Sequence, residues 1–518
     1  MTTETAAPEP ISPPRRIGRV AAAVAGVLAA ATVLAVGHLV AVLIDPASSP
    51  FFTLGATMVD HTPHELKDAA IRRFGDRDKQ ALFATMAAVM LVGAMVAGLL
   101  ERKRPLGSVL LLVLGGVTAV AALQRPTATA WFVIPTVIGV LAGVLALRLL
   151  TAGAPTLRTP DTGPSRRKFL ITAASVGAVI VVSATVARTL SARLRDVLAD
   201  RAGFLLPRPD RPAAAIAPGS QVAGITPFVT PNNRFYRVDT ALQLPALTSD
   251  DWQLRIHGMV DRPVVLDFDE LRRRTAVERV ITLTCVSNEV GGDLAGTATW
   301  LGYPLAELLR EAGPRGDADM VLSRSIDGFT ASTPLSAITD GRDALLAVGM
   351  NGEPLPIEHG YPARLIIPGL YGYVSATKWI VDLELTRFDR ATAYWTDRGW
   401  GDRAPIKTAA RIDVPASFAT VAAGEVVVAG VAWAQRRGIA AVEVQVDDQP
   451  WQRADLAVEY STDTWRQWSW RWPATPGAHT LRVRATDGAG MVQTEARTTP
   501  FPDGSTGWHN RVVTVRGQ

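Results

Sequence analysis

One residue in 518 is a cysteine. Cys285 stands in Leu283-Thr284-Cys285-Val286-Ser287-Asn288-Glu289-Val290-Gly291-Gly292, where a strand-like run meets a turn-rich loop. A side chain at such a junction is presented at the end of a sheet. A thiolate there is a nucleophile or a soft metal ligand; the plain alternative is a small buried hydrophobe. A Cys-His hydrolase would need His257 or His359 as its base, yet no nucleophile motif surrounds the cysteine. A lone cysteine also excludes an intramolecular disulfide, a cysteine zinc cage, an iron–sulfur cluster and a C-x-x-C-H haem attachment.

A second concentration of chemistry is His359-Gly360-Tyr361-Pro362-Ala363-Arg364-Leu365-Ile366-Ile367-Pro368-Gly369, followed by Tyr371-Gly372-Tyr373 and Thr377-Lys378-Trp379. A strand over Arg364–Ile367 is bracketed by loops carrying His, Arg and Lys. Arginine offers phosphate a planar fork and lysine a point charge. The bland reading is a strand with solvated basic ends.

The elements that must position these groups occupy the second half of the chain. Pro207, Pro209, Pro212 and Pro218 mark an extended Pro/Ala linker over 191–220. Residues 221–411 mix short strands and helices: Arg279–Thr284 alternates as a strand, and Met320–Ser325 and Gly328–Ser332 resemble strands about an Asp327-Gly328 turn. Pro304–Gly313 reads as a short amphipathic helix with Leu305, Leu308 and Leu309 on one face and Gly313 as C-cap. Over 412–518 the runs Val426–Val431, Ala441–Val446, Trp465–Trp472 and His479–Thr486 alternate at the spacing of a β-sandwich.

The first 190 residues are of another kind. Val20–Ile44, Ala81–Leu100, Leu106–Leu123, Ala130–Leu147 and Phe169–Val186 are uncharged apolar runs. A bilayer core of about 30 Å needs roughly 20 such residues in a helix, so five transmembrane helices are expected. Arg15, Arg16 and Arg19, then Arg102, Lys103 and Arg104, then Arg148, Arg158, Arg166, Arg167 and Lys168 fall on one side if the N-terminus is cytoplasmic. Everything after about residue 190 then lies on the outer face. Ser165-Arg166-Arg167-Lys168-Phe169-Leu170 before an apolar run looks like a twin-arginine export signal, which carries folded proteins; the alternative is an ordinary basic flank. Hydrophobic residues at 48% against 19% charged exclude a largely disordered chain, and a net charge of +5 without long basic runs gives no support to nucleic-acid binding.

Together these residues resemble the sulfite oxidase family of molybdopterin enzymes, over roughly Gln221 to the C-terminus. In that family one cysteine thiolate binds molybdenum and the pterin dithiolene adds two sulfurs; Cys285, in T-C-x-x-N context, matches that ligand. The H-G-[FY]-P-x-R stretch and the K-W pair match the pterin and phosphate grip, which implies His359, Arg364 and Lys378 as cofactor contacts, with Thr377 a weaker addition. Pro231-Asn232-Asn233-Arg234-Phe235-Tyr236-Arg237 matches the cofactor-edge segment and implies Asn233, Tyr236 and Arg237. Ser325 falls where a family hydroxyl meets the pterin. Gly430-Val431-Ala432-Trp433 and Trp508-His509 resemble the immunoglobulin-like dimerisation domain.

The resemblance implies a three-part chain: an N-terminal all-α transmembrane bundle, an α+β molybdopterin domain and a C-terminal immunoglobulin-like sandwich. It implies a molybdenum cofactor, oxygen-atom transfer with Cys285 and Arg237 as catalytic residues, a small-molecule substrate and an electron partner, cytochrome or quinone. A homodimer is compatible with it. Sulfite-oxidising members carry a tyrosine near the position of Trp400 and arginines in the loop where this chain has Glu289 and Val290. A dianion needs positive charge near the metal, and Arg237 remains as one such charge. The rival readings are a sulfoxide-type reductase fed by membrane electron carriers and a non-enzymatic surface or adhesion protein. No haem is expected: only His38 lies within an apolar run, with His61 and His64 in the following loop.

Overall fold

The computed structural model describes residues 18–63, 66, 78–102, 104–125, 127–152, 164–190 and 192–517. Arg15, Arg16, His64, Lys103 and Arg158 lie outside the described residues, as do the side chains of Ser165 and Arg166. The chain forms two compact units, residues 1–193 and 194–518.

The first unit holds helices α1 (Arg19–Ile44), α2 (Pro50–His61), α3 (Asp78–Glu101), α4 (Leu106–Leu123), α5 (Ile134–Ala152) and α6 (Pro164–Leu190). Among the described residues five stretches, Arg19–Ile44, Lys79–Glu101, Leu106–Leu123, Ala130–Ala152 and Arg167–Thr189, are long and apolar enough to cross a membrane. Helix α2 was not expected; it begins at Pro50, whose fixed φ suits a first turn, and its apolar residues are too few to register as a span. Small residues bring α1 against its neighbours. Ala22, Ala25, Gly26 and Ala29 are buried, and a Cβ on Gly98 would run into the Ala22 carbonyl. Large side chains such as Val89, Leu112 and Leu141 point outward. That inversion, small inside and large outside, suits helices whose surroundings are as apolar as their contacts. His38 bonds Ser49 through Nδ1 at 3.2 Å.

The second unit opens with α7 (Ala192–Gly203), where the Pro/Ala content downstream suggested extended chain. Asp200 of α7 accepts from the backbone and hydroxyl of Ser249 at 2.7 and 2.8 Å and from the Tyr361 hydroxyl at 2.6 Å. Arg201 donates to the carbonyls of Leu355 and Pro354. Tertiary partners of two charged residues, invisible to periodicity, hold this helix.

Two sheets then build the central part. One has the order β2-β1-β10-β5-β6, with β1 Gln253–Gly258, β2 Val264–Asp267, β5 Met320–Ser325, β6 Thr330–Pro334 and β10 Ile380–Thr386. The other has β3-β4-β7-β8, with β9 on β7: β3 Val277–Thr284, β4 Ala295–Pro304, β7 Leu345–Met350, β8 Glu353–Pro354 and β9 Arg364–Ile366. The helix expected after Pro304 is Leu305–Ala312, ending on Gly313 at φ +70°. The β5–β6 hairpin turns at Asp327-Gly328. The C-terminal part is a two-sheet sandwich. One sheet has β11 (Ala409–Val414), β13 (Gly424–Trp433), β17 (Arg466–Ala474) and β16 (Asp455–Leu456). The other has β12 (Ala419–Ala422), β19 (His509–Arg516), β18 (Gly477–Asp487), β14 (Ile439–Val446) and β15 (Gln452–Arg453). Val428, Val442, Val444, Trp468 and Val513 fill it. Val431, Trp433 and Trp465 of the sandwich belong instead to the core of the central part, which joins the two layers.

Replacing Gly98 by Leu should destabilise the helical unit by about 1–3 kcal/mol through overpacking. Gly93→Leu, where nothing lies within 4 Å, should cost far less. Thermal unfolding in detergent checks the pair; equal losses would refute the close α1–α3 contact.

Candidate active site

Strand β3 carries Cys285 to the rim of its sheet. It pairs antiparallel with β4 down to Thr284 opposite Ala295, and the loop between them closes on itself. The Cys285 amide donates to the Leu294 carbonyl at 2.9 Å, the Asn288 amide to the Cys285 carbonyl at 3.1 Å, and the Leu294 amide to Asn288 Oδ1 at 2.9 Å. Asn288, 5% exposed, thus pins the loop that presents the thiol. The T-C-x-x-N spacing contained that residue, but its role appears only in the closed loop.

Cys285 lies in a cavity that holds about 930 Å³ of atom-free space, open solvent at its mouth included. Tyr236, Ser325, Arg364 and Lys378 line the same cavity. Arg364 is 4% exposed. Its guanidinium donates to the carbonyls of His359 (2.9 Å) and Ala376 (3.2 Å) and stacks over the Trp300 ring at 5.2 Å. Burial pulls its pKa down to about 10, against the opposing pull of Tyr236 and Asp239. Lys378 donates at 2.9 Å to both Asp239 Oδ2 and the Glu358 carbonyl. Burial brings it down to about 8; Asp239 opposes that, while Arg364 and Arg237 add to it.

The other expected residues are placed differently. Arg237 is paired with Asp239 through Nε at 2.9 Å and does not line the cavity. Thr377 turns to Ser323, hydroxyl to hydroxyl at 2.7 Å. Asn233 is exposed in a single 3-10 turn, Asn232–Arg234. His359 is 2% exposed behind Phe235, its ring 5.6 Å away edge to face. Its Nε2 meets the Asn232 carbonyl at 3.2 Å, while Nδ1 is buried without a hydrogen-bond partner. His257 pairs with Asp382 at 3.0 Å. Neither histidine lines the cavity with Cys285, which leaves a Cys-His dyad without geometry.

Sequence reasoning missed Asp239, the carboxylate shared by Arg237 and Lys378. It also missed the aromatic wall of Phe329, Tyr373 and Trp395, which joins Trp400 around the cavity. Trp400 packs at 5.8 Å from Tyr373 and 5.3 Å from Phe501. Trp395 and Trp400 share one short stretch and Tyr373 stands in the Tyr371-Gly372-Tyr373 run, but no periodicity aims these rings and Phe329 at one cavity. Burial, and secondarily Cys285, pushes the Tyr236 phenol well above its ordinary value, so it stays a donor.

Burial, reinforced by Lys378 and Arg364, lowers the His359 pKa to about 3 from 6.5. Between those values the unfolded chain takes a proton that the folded one refuses. Stability is therefore fully present above pH 6.5 and is lost as pH falls through the window. His509, brought down to about 4 by burial first, acts with the same sign. Urea unfolding of the full chain in detergent should show a midpoint falling from pH 7 to 5, and His359→Gln should flatten that fall by up to about 1.4 kcal/mol per pH unit. An unchanged acid slope in the variant would assign it to other groups.

Comparison with known proteins supplies the rest. Residues 241–395 match the oxidoreductase molybdopterin binding domain, and residues 409–483 a bacterial Ig domain. The mitochondrial sulfite oxidase of Rattus norvegicus is 29% identical over 287 residues, 47% of this chain and 52% of the relative; the chain spans about half the length of such relatives. The protein-methionine-sulfoxide reductase catalytic subunit MsrP of Ralstonia nicotianae is 30% identical over 241 residues, 42% of this chain and 68% of the relative. The crystal structure of the sulfane dehydrogenase SoxCD from Paracoccus pantotrophus shares the fold, with a TM-score of 0.50 at 22% identity over 56% of this chain and 84% of that one. A lone thiol at the end of β3, buried cations in the same cavity, a sandwich behind them and these matches give one result: the chain belongs to the sulfite oxidase family of molybdopterin-dependent oxidoreductases.

Proposed function

We propose that the chain is a membrane-anchored enzyme that transfers an oxygen atom to or from a small substrate at the outer face of the cytoplasmic membrane. The observation that carries this reading is the single cavity shared by the only thiol, Cys285, and by Arg364 and Lys378. The residues fit a molybdenum–molybdopterin cofactor. Arg364, Lys378 and Arg237 draw on one carboxylate, Asp239, so that end of the cavity favours an anion such as the cofactor phosphate. His359 sits behind Phe235 and takes part in this end of the cavity through its carbonyl, which accepts from Arg364 at 2.9 Å. Cys285 is the soft donor a molybdenum ion needs. When bound, the cofactor supplies two-electron oxygen-atom transfer.

Five apolar helices, the basic residues flanking them and the twin-arginine-like Ser165–Leu170 support anchoring and outward placement. Electrons would pass to or from a cytochrome or a quinone. The sandwich resembles a dimerisation domain, which favours a homodimer.

Within this function a sulfite-like substrate and a sulfoxide are the two candidates. The wall of the cavity favours the sulfoxide. Arg364 and Lys378 are the only cations lining it among the described residues, and both are bonded at the phosphate end. The wall also carries Tyr236, Phe329, Tyr373, Trp395 and Trp400, with the Asp327 carboxylate. A dianion would meet little positive charge there. A neutral S=O group with apolar substituents would pack on the aromatic rings and accept a hydrogen bond from the Tyr236 phenol. Reduction would consume two electrons and two protons and release the sulfide and water.

Arg364→Ala removes a charge-assisted contact of about 1.5–3 kcal/mol and should lower copurifying molybdenum and pterin about tenfold to a hundredfold where loading is at equilibrium. Full metal content in that variant would refute the phosphate grip. Cys285→Ser should keep most of the pterin, lose turnover and change the sulfur count in X-ray absorption at the molybdenum edge. An unchanged sulfur count with preserved turnover would sink the ligand assignment. On the wild-type enzyme, acceptor-linked oxidation of sulfite against donor-linked reduction of a dialkyl sulfoxide separates the two substrates; the sulfoxide should turn over faster.

A further inference from the structure

The loop that presents Cys285 is held from outside as well as from within, and the outside anchors come from the sandwich. Arg411, on β11, donates through Nη1 to the Gly292 carbonyl at 2.6 Å. Ser505 donates its hydroxyl to the Asn288 carbonyl at 2.6 Å. Gly291, at φ +82°, lies against the His509 ring so closely that a Cβ would collide with it. That ring is fixed in turn, its Nδ1 accepting from the Ile412 amide at 3.0 Å.

Arg411 is not a surface residue that happens to reach over. It is 7% exposed. Its Nε donates to Asp413 at 2.7 Å and its Nη2 to the Thr226 hydroxyl at 2.8 Å, while the Thr226 amide donates to the same Asp413 carboxylate at 2.9 Å. Burying an arginine–aspartate pair is costly unless further hydrogen bonds complete it, and here the completing acceptor is a carbonyl of the cysteine loop. A sandwich that served only for dimer contacts would need no buried ion pair aimed at this loop.

We propose that the C-terminal sandwich is part of the catalytic apparatus: Arg411 and Ser505 are positioning residues that hold the Cys285 loop closed and set the direction of its thiol. This rests on the reading of Cys285 as the metal ligand for its catalytic meaning, but its geometry does not. Each anchor acts on a backbone carbonyl, so the loop sequence can vary while the brace persists. Without the brace, the internal bonds of the loop remain, and the thiol samples orientations that the closed loop excludes.

The test uses the fact that Cys285 is the only thiol, so alkylation of the full chain reports on that site alone. Cys285 is 9% exposed and reacts when its loop opens. In cofactor-free full-length protein in detergent, iodoacetamide should modify Ser505→Ala about fivefold faster than wild type, the change expected for one net hydrogen bond lost. Arg411→Lys keeps the charge on Asp413 but loses the fork, and should react faster still. Arg471→Ala, which removes an exposed pair with Glu425 at 2.5 Å on the same sandwich, should react like wild type. Ser505→Ala holoenzyme should also show a shifted molybdenum(V) paramagnetic signal and lower kcat at unchanged KM. Rates for Ser505→Ala and Arg411→Lys within about twofold of wild type overturn the proposal, as does an equal increase in Arg471→Ala, which would mean general loosening. If Arg411→Lys fails to fold, Ser505→Ala decides alone. Failure of the ligand reading is separate: it appears as an unchanged metal sulfur count in Cys285→Ser, whatever the alkylation rates.

Discussion

A guanidinium taken out of water without a carboxylate of its own must be satisfied by the backbone, and Arg364 imposes that constraint on the whole central part of the second unit. Two of its carbonyl acceptors, on His359 and Ala376, belong to the segments before and after β9. Both segments must curl back toward the strand, and the Trp300 ring of β4 must lie beneath the planar head. The neighbouring cation Lys378 has one carboxylate, Asp239, which it shares with Arg237. Burial lowers the pKa values of both Arg364 and Lys378, and for Lys378 the like charges of Arg364 and Arg237 add to it, as they must in a medium of low dielectric. A protein retains such an arrangement when an anion relieves it, which is why the cation cluster says more about function than any residue in it.

The thiol poses the converse problem. The fold fixes the backbone on either side of Cys285 and with it the direction of the thiol. The β3–β4 ladder sets one end of the loop and Asn288 closes it. Gln435 and Trp465 of the sandwich brace the strand below: Gln435 donates to the Thr282 carbonyl and the Thr284 hydroxyl, and the Trp465 amide donates to the Thr282 hydroxyl at 2.8 Å. The two parts of the second unit thus meet through polar contacts on one strand and through Val431, Trp433 and Trp465 in a common core.

How much of this could be read in the sequence depends on whether the signal was local. The apolar runs, the Asp327-Gly328 hairpin, the Leu305 helix with Gly313 as its cap and the alternating strands of the sandwich are local, and each was legible. Cys285, Tyr236, Ser325, Arg364 and Lys378 were named from short motifs and share one cavity. Helix α7 was not legible, because its stability comes from Asp200 and Arg201 reaching distant partners. Asp239 was overlooked because one aspartate two residues beyond Arg237 carries no pattern until Lys378 is folded onto it from 139 positions away. Arg237, named from the Asn-Asn-Arg-Phe-Tyr run as a charge for substrate, is committed in the structure to the Asp239 carboxylate.

That commitment bears on substrate choice. A side chain already paired can still draw in an anion, but only by giving up the pairing or by sharing it, so its net attraction is smaller than its formal charge implies. In this cavity both lining cations are bonded to protein groups and aromatic rings form much of the wall, with Trp400 packed against Tyr373 and Phe501. The substitution of Trp400 for the tyrosine of sulfite-oxidising members and the replacement of loop arginines by Glu289 and Val290 move the same way. Each exchanges polarity or positive charge for apolar surface or negative charge. The two changes lie in separate segments, and each removes polarity or positive charge that a dianion would use.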